Sequence, residues 1–168
     1  MKVKFTVEGE PQGKGRPRTR VQKMGRSGKA FAQIYTPEGT RAYEKRVVMA
    51  FKAKYPGIKP VEKTEPLAML IRAYCPIPVS TSRVKREAMF DGLILPTKKP
   101  DADNIIKIVC DALNGVAYED DTQIVDVHLI KQYDNAPRVE VTIIPALSLN
   151  QLAKNKQKTE DAQCRMVL

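Results

Sequence analysis

Val3, Phe5 and Val7 alternate with Lys2, Lys4 and Thr6, the period of two that marks a strand buried on one face. This predicts a strand over residues 2–8. The alternation then lapses. Residues 9–35 are rich in Gly, Lys, Arg and Gln without a sustained apolar period, which predicts a long mobile arm. Thr36-Pro37-Glu38 opens a helix, with Pro at the first helical position and an acid near the positive helix end. Tyr43, Val47 and Phe51 follow at a spacing of four and should face the core until Pro56-Gly57 ends the helix near Tyr55. The apolar run from Leu67 to Tyr74, between Pro66 and Pro76, predicts a buried strand. Residues 80–90 read as a short basic helix and 92–102 as a loop. Residues 104–113 read as a strongly amphipathic helix, capped by Asp103 and ended by Asn114-Gly115.

Two further strands are predicted. Val125, Val127 and Leu129 alternate within 122–133, and Val139, Val141 and Ile143 within 138–144. Asp134-Asn135 between them predicts a hairpin with a loop longer than two residues. The pattern fails after Leu149. The expectation is one α+β domain over residues 1–149, a mixed β-sheet of about four strands packed with two to three helices, and a flexible tail over 150–168.

Composition narrows the class. The chain has 168 residues, 42% hydrophobic and 29% charged, so it can bury a core without disulfides or a structural metal. The amino terminus lacks a signal-peptide hydrophobic block, and no apolar run reaches the length of a membrane span. Cys75, Cys110 and Cys164 are far apart, which argues against zinc and disulfide frameworks and for a reducing cytoplasm.

Charge is more telling. The chain carries a net +10, but residues 1–100 hold 22 bases against 8 acids, and residues 101–168 hold 7 against 11. Residues 101–126 contain seven acids and one base, Lys107. A surface suited to polyanions thus encloses an acidic island.

On a helical wheel, Ile105, Ile106, Ile108, Val109, Ala112 and Leu113 share a broad apolar side, and Asp103, Lys107, Asp111 and Asn114 form a polar stripe opposite. Asp101 precedes this helix. Asp120 and Asp121 stand where a loop enters a strand. Two carboxylates ~4 Å apart at an effective dielectric of ~20 repel by roughly 4 kcal/mol, and an oxygen-seeking cation removes that cost. Mg²⁺ takes one or two carboxylates and fills its shell with water and phosphate, which suits phosphodiester hydrolysis. Plainer readings stand beside this one: Asp103 as a helix cap, Asp120 and Asp121 as loop residues, and Lys107 in an i, i+4 ion pair with Asp103 or Asp111. An EF-hand would need Gly at Ile106 and Glu at Ala112, and fails.

The stretch resembles the signature of the RusA family of Holliday junction resolvases, crossover junction endodeoxyribonucleases often carried by prophages. That pattern runs Asp-x-Asp-Asn, Lys three residues on, Asp-Ala-Leu, then an Asp-Asp pair before a strand. Here it is Asp101-Ala102-Asp103-Asn104, Lys107, Asp111-Ala112-Leu113 and Asp120-Asp121. The opening strand followed by Gly13-Lys14-Gly15-Arg16-Pro17-Arg18 is also similar to many members. The resemblance implies a homodimer with a mixed α/β fold that nicks four-way DNA junctions in recombination and repair, using Mg²⁺ or Mn²⁺. It implies Asp101, Asp103 and Asp121 as catalytic, metal-binding acids and Lys107 as the catalytic lysine. Asn104, Asp111 and Asp120 are implied as support. One acidic constellation per chain fits one cut per subunit, with the dimer's apolar surface expected from the strands or the first helix.

Residues 11–30 hold seven bases and no acids, and read either as a solvated loop or as an arm that grips phosphate. Lys14, Arg16, Arg18, Arg20, Lys98 and Lys99 are the candidate DNA-binding residues, with Arg83, Lys85 and Arg86 as a possible extension. GKGRPR is not a P-loop. His128, the single histidine, reads as structural. Rival readings are a non-catalytic DNA-binding protein, a nuclease without junction preference, and a sugar-nucleotide transferase. A chain this short without a Gly-rich βαβ unit disfavours the last.

Overall fold

The computed structural model describes residues 2–23 and 30–146; the expected tail and its boundary at 149 lie outside them. The elements are β1 (Val3–Glu8), β2 (Arg18–Lys23), β3 (Ala30–Tyr35), α1 (Glu38–Lys54), β4 (Leu67–Pro76), α2 (Arg83–Phe90), α3 (Ala102–Leu113), β5 (Ile124–Asp134) and β6 (Arg138–Pro145). A 3₁₀ turn, Asp121–Gln123, leads into β5. This is the expected α+β domain. Four strands form a mixed sheet in the order β1-β6-β4-β5; β2 and β3 form a separate pair.

Alternation in the strands builds the core. Val3, Phe5 and Val7 pair with Ile143, Val141 and Val139, which pair in turn with Met69, Ile71 and Ala73 of β4. All nine side chains are buried on one face. Onto that face α1 brings Tyr43, Val47 and Phe51, the predicted stripe, and α3 brings Ile105, Ile108, Val109 and Leu113. Phe5 and Phe51 meet edge to face with centroids 5.5 Å apart. Truncating Phe51 to Ala would cost ~3–5 kcal/mol, since nothing can collapse into its place without moving β1. No described helix is long and apolar enough to cross a membrane.

Three expectations need correction. The first is the hairpin between the last two strands. β5 runs parallel to β4, β6 runs antiparallel to β4, and β4 lies between them. The link from Asp134 to Arg138 covers two strand spacings of ~4.8 Å, within reach of three extended residues. Asp134 Oδ1 accepts the Ala136 amide at 2.9 Å, and Arg138 donates to Asp134 and to the Ala136 carbonyl. The Arg138 guanidinium stacks 3.8 Å over Tyr74 of the strand being crossed.

The second correction concerns Val125. The β4–β5 register slips so that Leu67 faces Ile124 but Ala68 faces Asp126. Val125 is the extra residue of this bulge and is 64% exposed; Ile124, Val127 and Leu129 pack against the core instead.

The third concerns the arm. Its described residues are built, not loose. The β2–β3 pair is held by its backbone ladder, and Val21 and Ile34 on it stay exposed, so its described side chains carry no burial pattern to read. The segment before it is stitched to the domain, with Gly9 donating to Pro137, Lys14 to the Asn104 carbonyl and Gly15 to Thr40 Oγ1.

Candidate active site

The cleft next to the acidic motif follows from that stitching. It is an open volume of about 620 Å³, with Gly13, Lys14 and Arg16 on one wall and Lys99, Asp101 and Asn104 on the other. The walls approach closely because of two glycines. A Cβ at Gly13 would lie 2.9 Å from Asn104 Cβ, and one at Gly15 would lie 2.7 Å from Thr40 Oγ1. Side chains there would push the segment off α3 and the start of α1.

Helix α3 starts two residues earlier than expected. Asp101, not Asp103, is the N-cap residue, and its side chain makes no capping hydrogen bond. Its carboxylate is therefore not spent on the helix amides. Asp103 falls in the first turn, where the positive helix end favours a carboxylate. Asn104 Nδ2 lies 3.4 Å from Asp103 Oδ1. Asp101, Asp103 and Lys107 are all exposed. None makes an ion pair among the described residues, so Lys107 realises neither of the helical pairs open to it.

Asp111 is different. Its Oδ2 lies 2.8 Å from Lys14 Nζ, which also contacts Glu44 of α1. Burial would lower the Lys14 pKa, but the hydrogen bonds to Asp111 and Glu44 outweigh it and the net shift is upward. Lys14, expected to face phosphate, is thus an internal bridge, with its side chain only 21% exposed.

The Asp120-Asp121 pair also divides. Asp120 caps the 3₁₀ turn by accepting from the Thr122 amide, and Lys63 Nζ sits 2.7 Å from its Oδ2. That ammonium, then the Thr122 hydrogen bonds, hold the Asp120 carboxyl well below the usual carboxylate range. Asp121 is exposed and makes no ion pair among the described residues. It lies toward the C-terminal half of α3. The Cys110 thiol is pushed to about 11 by burial first, with the charges of Asp121 and Asp111 adding to it. Buried Tyr118, whose hydroxyl donates to the Cys110 carbonyl, is raised for similar reasons. A thiol so protonated is no nucleophile.

Two positioning side chains escape the sequence pattern. Lys131 of β5 reaches under the loop before α3 and donates to the Lys98 and Pro100 carbonyls, both at 2.8 Å, which fixes the approach to Asp101. A lone strand lysine reads as a solvated charge. Gln123, 4% exposed, donates to the Glu62 and Glu65 carbonyls and accepts from the Asp120 amide, which pins the turn carrying Asp121. Its position three after Asp120, the capping-box spacing, was the available signal.

Arg16, Arg18 and Arg20 are exposed, the last two on one face of β2. Lys98 and Lys99 are exposed on the loop before Asp101. Arg83 pairs with Glu87. His128 is exposed on the opposite sheet face, 3.2 Å from Asp126, and not buried in a structural role.

Among the described residues no group of three or more His, Cys, Asp or Glu side chains is brought together to hold a metal ion. The unpaired carboxylates offer oxygen only: Asp101 and Asp103 stand at the N-terminal end of α3, and Asp121 stands apart from them on the turn before β5, toward the other half of the helix. That suits a hard cation such as Mg²⁺, which needs few protein ligands when phosphate and water supply the rest.

Two comparisons bear on this site. The family profile described as "Endodeoxyribonuclease RusA" matches residues 8–144, from the end of β1 through β6. A Bacillus subtilis (strain 168) protein named "Uncharacterized protein YqaN" is 40% identical over 143 residues, covering 84% of this chain and 94% of that one.

Proposed function

The chain belongs to the RusA family of endodeoxyribonucleases, and from that premise we propose that it is a metal-dependent, structure-selective nuclease that nicks four-way DNA junctions. One observation carries the reading. Of the five aspartates in the motif, Asp111 and Asp120 are neutralised by lysines, while Asp101, Asp103 and Asp121 are exposed and unpaired among the described residues. Folding leaves free the three carboxylates that match the family's catalytic acids, and one of them, Asp101, lines a cleft together with Lys14, Arg16 and Lys99.

Asp101 and Asp103 are the residues to hold Mg²⁺ or Mn²⁺, with Asp121 as the third acid. The bound ion supplies Lewis acidity toward a phosphoryl oxygen and lowers the pKa of a bound water. Lys107, exposed on the same helix, faces the phosphate and stabilises charge that develops on it in the transition state. Arg16, Arg18, Arg20, Lys98 and Lys99 bind backbone phosphates and set the position of the DNA.

Two symmetric cuts need two equivalent sites, so the working form is a two-fold homodimer acting on branched DNA in recombination and repair. Exposed apolar side chains occur on the strands, at Val21, Ile34, Tyr35, Val125 and Ile130, and around α2, at Val84, Phe90, Leu93 and Leu95.

The test is to incubate the protein with labelled four-way junction, fork and linear duplex, with Mg²⁺ and with EDTA. Paired nicks in the junction that vanish in EDTA are expected. Equal cutting of linear duplex would favour a nuclease without junction preference. Tight binding without any cutting would favour a DNA-binding protein.

A further inference from the structure

We propose that Lys14 is a positioning residue for Lys107: by engaging Asp111, it removes the carboxylate placed to capture Lys107 and leaves that ammonium free for the phosphate. The inference rests on the reading of Lys107 as the phosphate-facing cation. It begins from a pair that should form and does not. Lys107 and Asp111 are four residues apart on α3, the spacing at which helical side chains meet. Lys107 nevertheless makes no ion pair among the described residues, and Asp111 Oδ2 lies 2.8 Å from Lys14 Nζ instead.

Lys14 is held in that place from three sides. Its amide donates to the Asn104 carbonyl at 2.8 Å. Gly13 and Gly15 bring the chain closer to Asn104 and Thr40 than any Cβ permits. Its ammonium also contacts Glu44, so it bridges α1 and α3. A side chain 21% exposed, with two carboxylates on its charge, is badly placed to grip DNA.

Removing the Lys14 charge reverses the situation. Asp111 and Glu44 then face each other without a counter-ion, in a part-buried position where like charges are costly. Asp111 relieves this by turning toward Lys107, one turn back on its own helix. The Lys107 ammonium is then drawn away from the phosphate. Asp103 flanks Lys107 on its other side and is unaffected, so the loss is partial.

The test is a set of single-turnover nicking rates on a four-way junction, with melting temperature and salt-dependent junction binding measured on each variant. Lys14→Met should slow nicking about fivefold, the equilibrium constant of an ion pair at the upper end of the surface range. Lys14→Arg should recover most of the rate. In a Lys107→Ala background, Lys14→Met should cost nothing further, because its target is gone. Adding Asp111→Asn to Lys14→Met should restore the rate, and this double variant also answers the question if Lys14→Met alone melts too early to assay. The binding salt slope should stay unchanged in every Lys14 variant. Equal slowing by Lys14→Met in both Lys107 backgrounds, or a slow but natively melting Lys14→Met/Asp111→Asn protein, would overturn the proposal. So would a slope reduced by ~0.9, the mark of a lost phosphate contact. Wild-type nicking by Lys107→Ala would instead overturn the underlying reading of Lys107.

Discussion

Lys131→Met removes the two bonds that tie the loop before Asp101 to the sheet, with little change in side-chain volume. Lys131 Nζ donates to the Lys98 carbonyl, which is exposed, and to the Pro100 carbonyl, which is part-buried, both at 2.8 Å. The exposed bond is worth ~1 kcal/mol and the part-buried one ~1.5–2 kcal/mol, because the donor is charged. Losing ~2.5–3 kcal/mol of local stability lowers the fraction of protein with the loop in its bound position by roughly 20- to 30-fold, if that position is disfavoured by ~2 kcal/mol without the clasp. Single-turnover nicking should fall by about 30-fold at saturating junction, with junction affinity kept within about threefold, since the phosphate-binding cations remain. Arg at this position, able to reach both carbonyls, should restore part of the rate. Nicking by Lys131→Met within about threefold of wild type would refute the idea that this clasp presents Asp101.

Three further outcomes are expected. Replacing Arg18 and Arg20 of β2 with Ala should weaken binding to every DNA form and lower the salt slope by up to ~0.9 per lost contact, read in a filter-binding salt series; an unchanged slope would remove the β2–β3 pair from the DNA surface. The folded Asp120 carboxyl is held below its ordinary value by Lys63, so its contribution to stability is present above about pH 5 and is lost as pH falls through the acid range toward its folded pKa. Melts between about pH 6 and about pH 2 should therefore show a shallower acid decline for Asp120→Asn than for wild type, and parallel declines would contradict the cap-and-pair account. Phe51→Ala should lower stability by ~3–5 kcal/mol in urea titration, and a loss under ~1 kcal/mol would contradict its place in the core.

Much of this was legible in the sequence, and the failures share a cause. The strands and helices with a buried face announced themselves: Val3-Phe5-Val7 by alternation, Tyr43-Val47-Phe51 by a spacing of four. What failed depended on partners distant in the chain. The last two strands looked like a hairpin because they are neighbours in sequence, yet β4 lies between them. The described side chains of β2 and β3, Val21 and Ile34 among them, are exposed, so no period marked these strands.

The site divides in the same way. The spacing of Asp101, Asp103, Lys107, Asp111, Asp120 and Asp121 was visible, but which acids are free was not. That depends on Lys14 and Lys63, 97 and 57 positions before the aspartates they neutralise. Lys14 stood in a run of bases that suggested DNA. Only the close packing of Gly13 and Gly15 turns it inward. Asp103 was expected to cap α3 because it directly precedes the apolar run; the helix in fact begins at Ala102, which gives the cap position to Asp101.

The central claim is that folding sorts five aspartates into neutralised and available, and that the available ones perform the chemistry. The most direct test is one nicking assay on a four-way junction, run in Mg²⁺ with five single Asp→Asn proteins matched for melting temperature. Asp101→Asn, Asp103→Asn and Asp121→Asn should lose cleavage by roughly 10² or more while still binding the junction. Asp111→Asn and Asp120→Asn should cut within about fivefold of wild type. Full activity in any of the first three, or abolished activity in a well-folded Asp111→Asn or Asp120→Asn, would contradict that division.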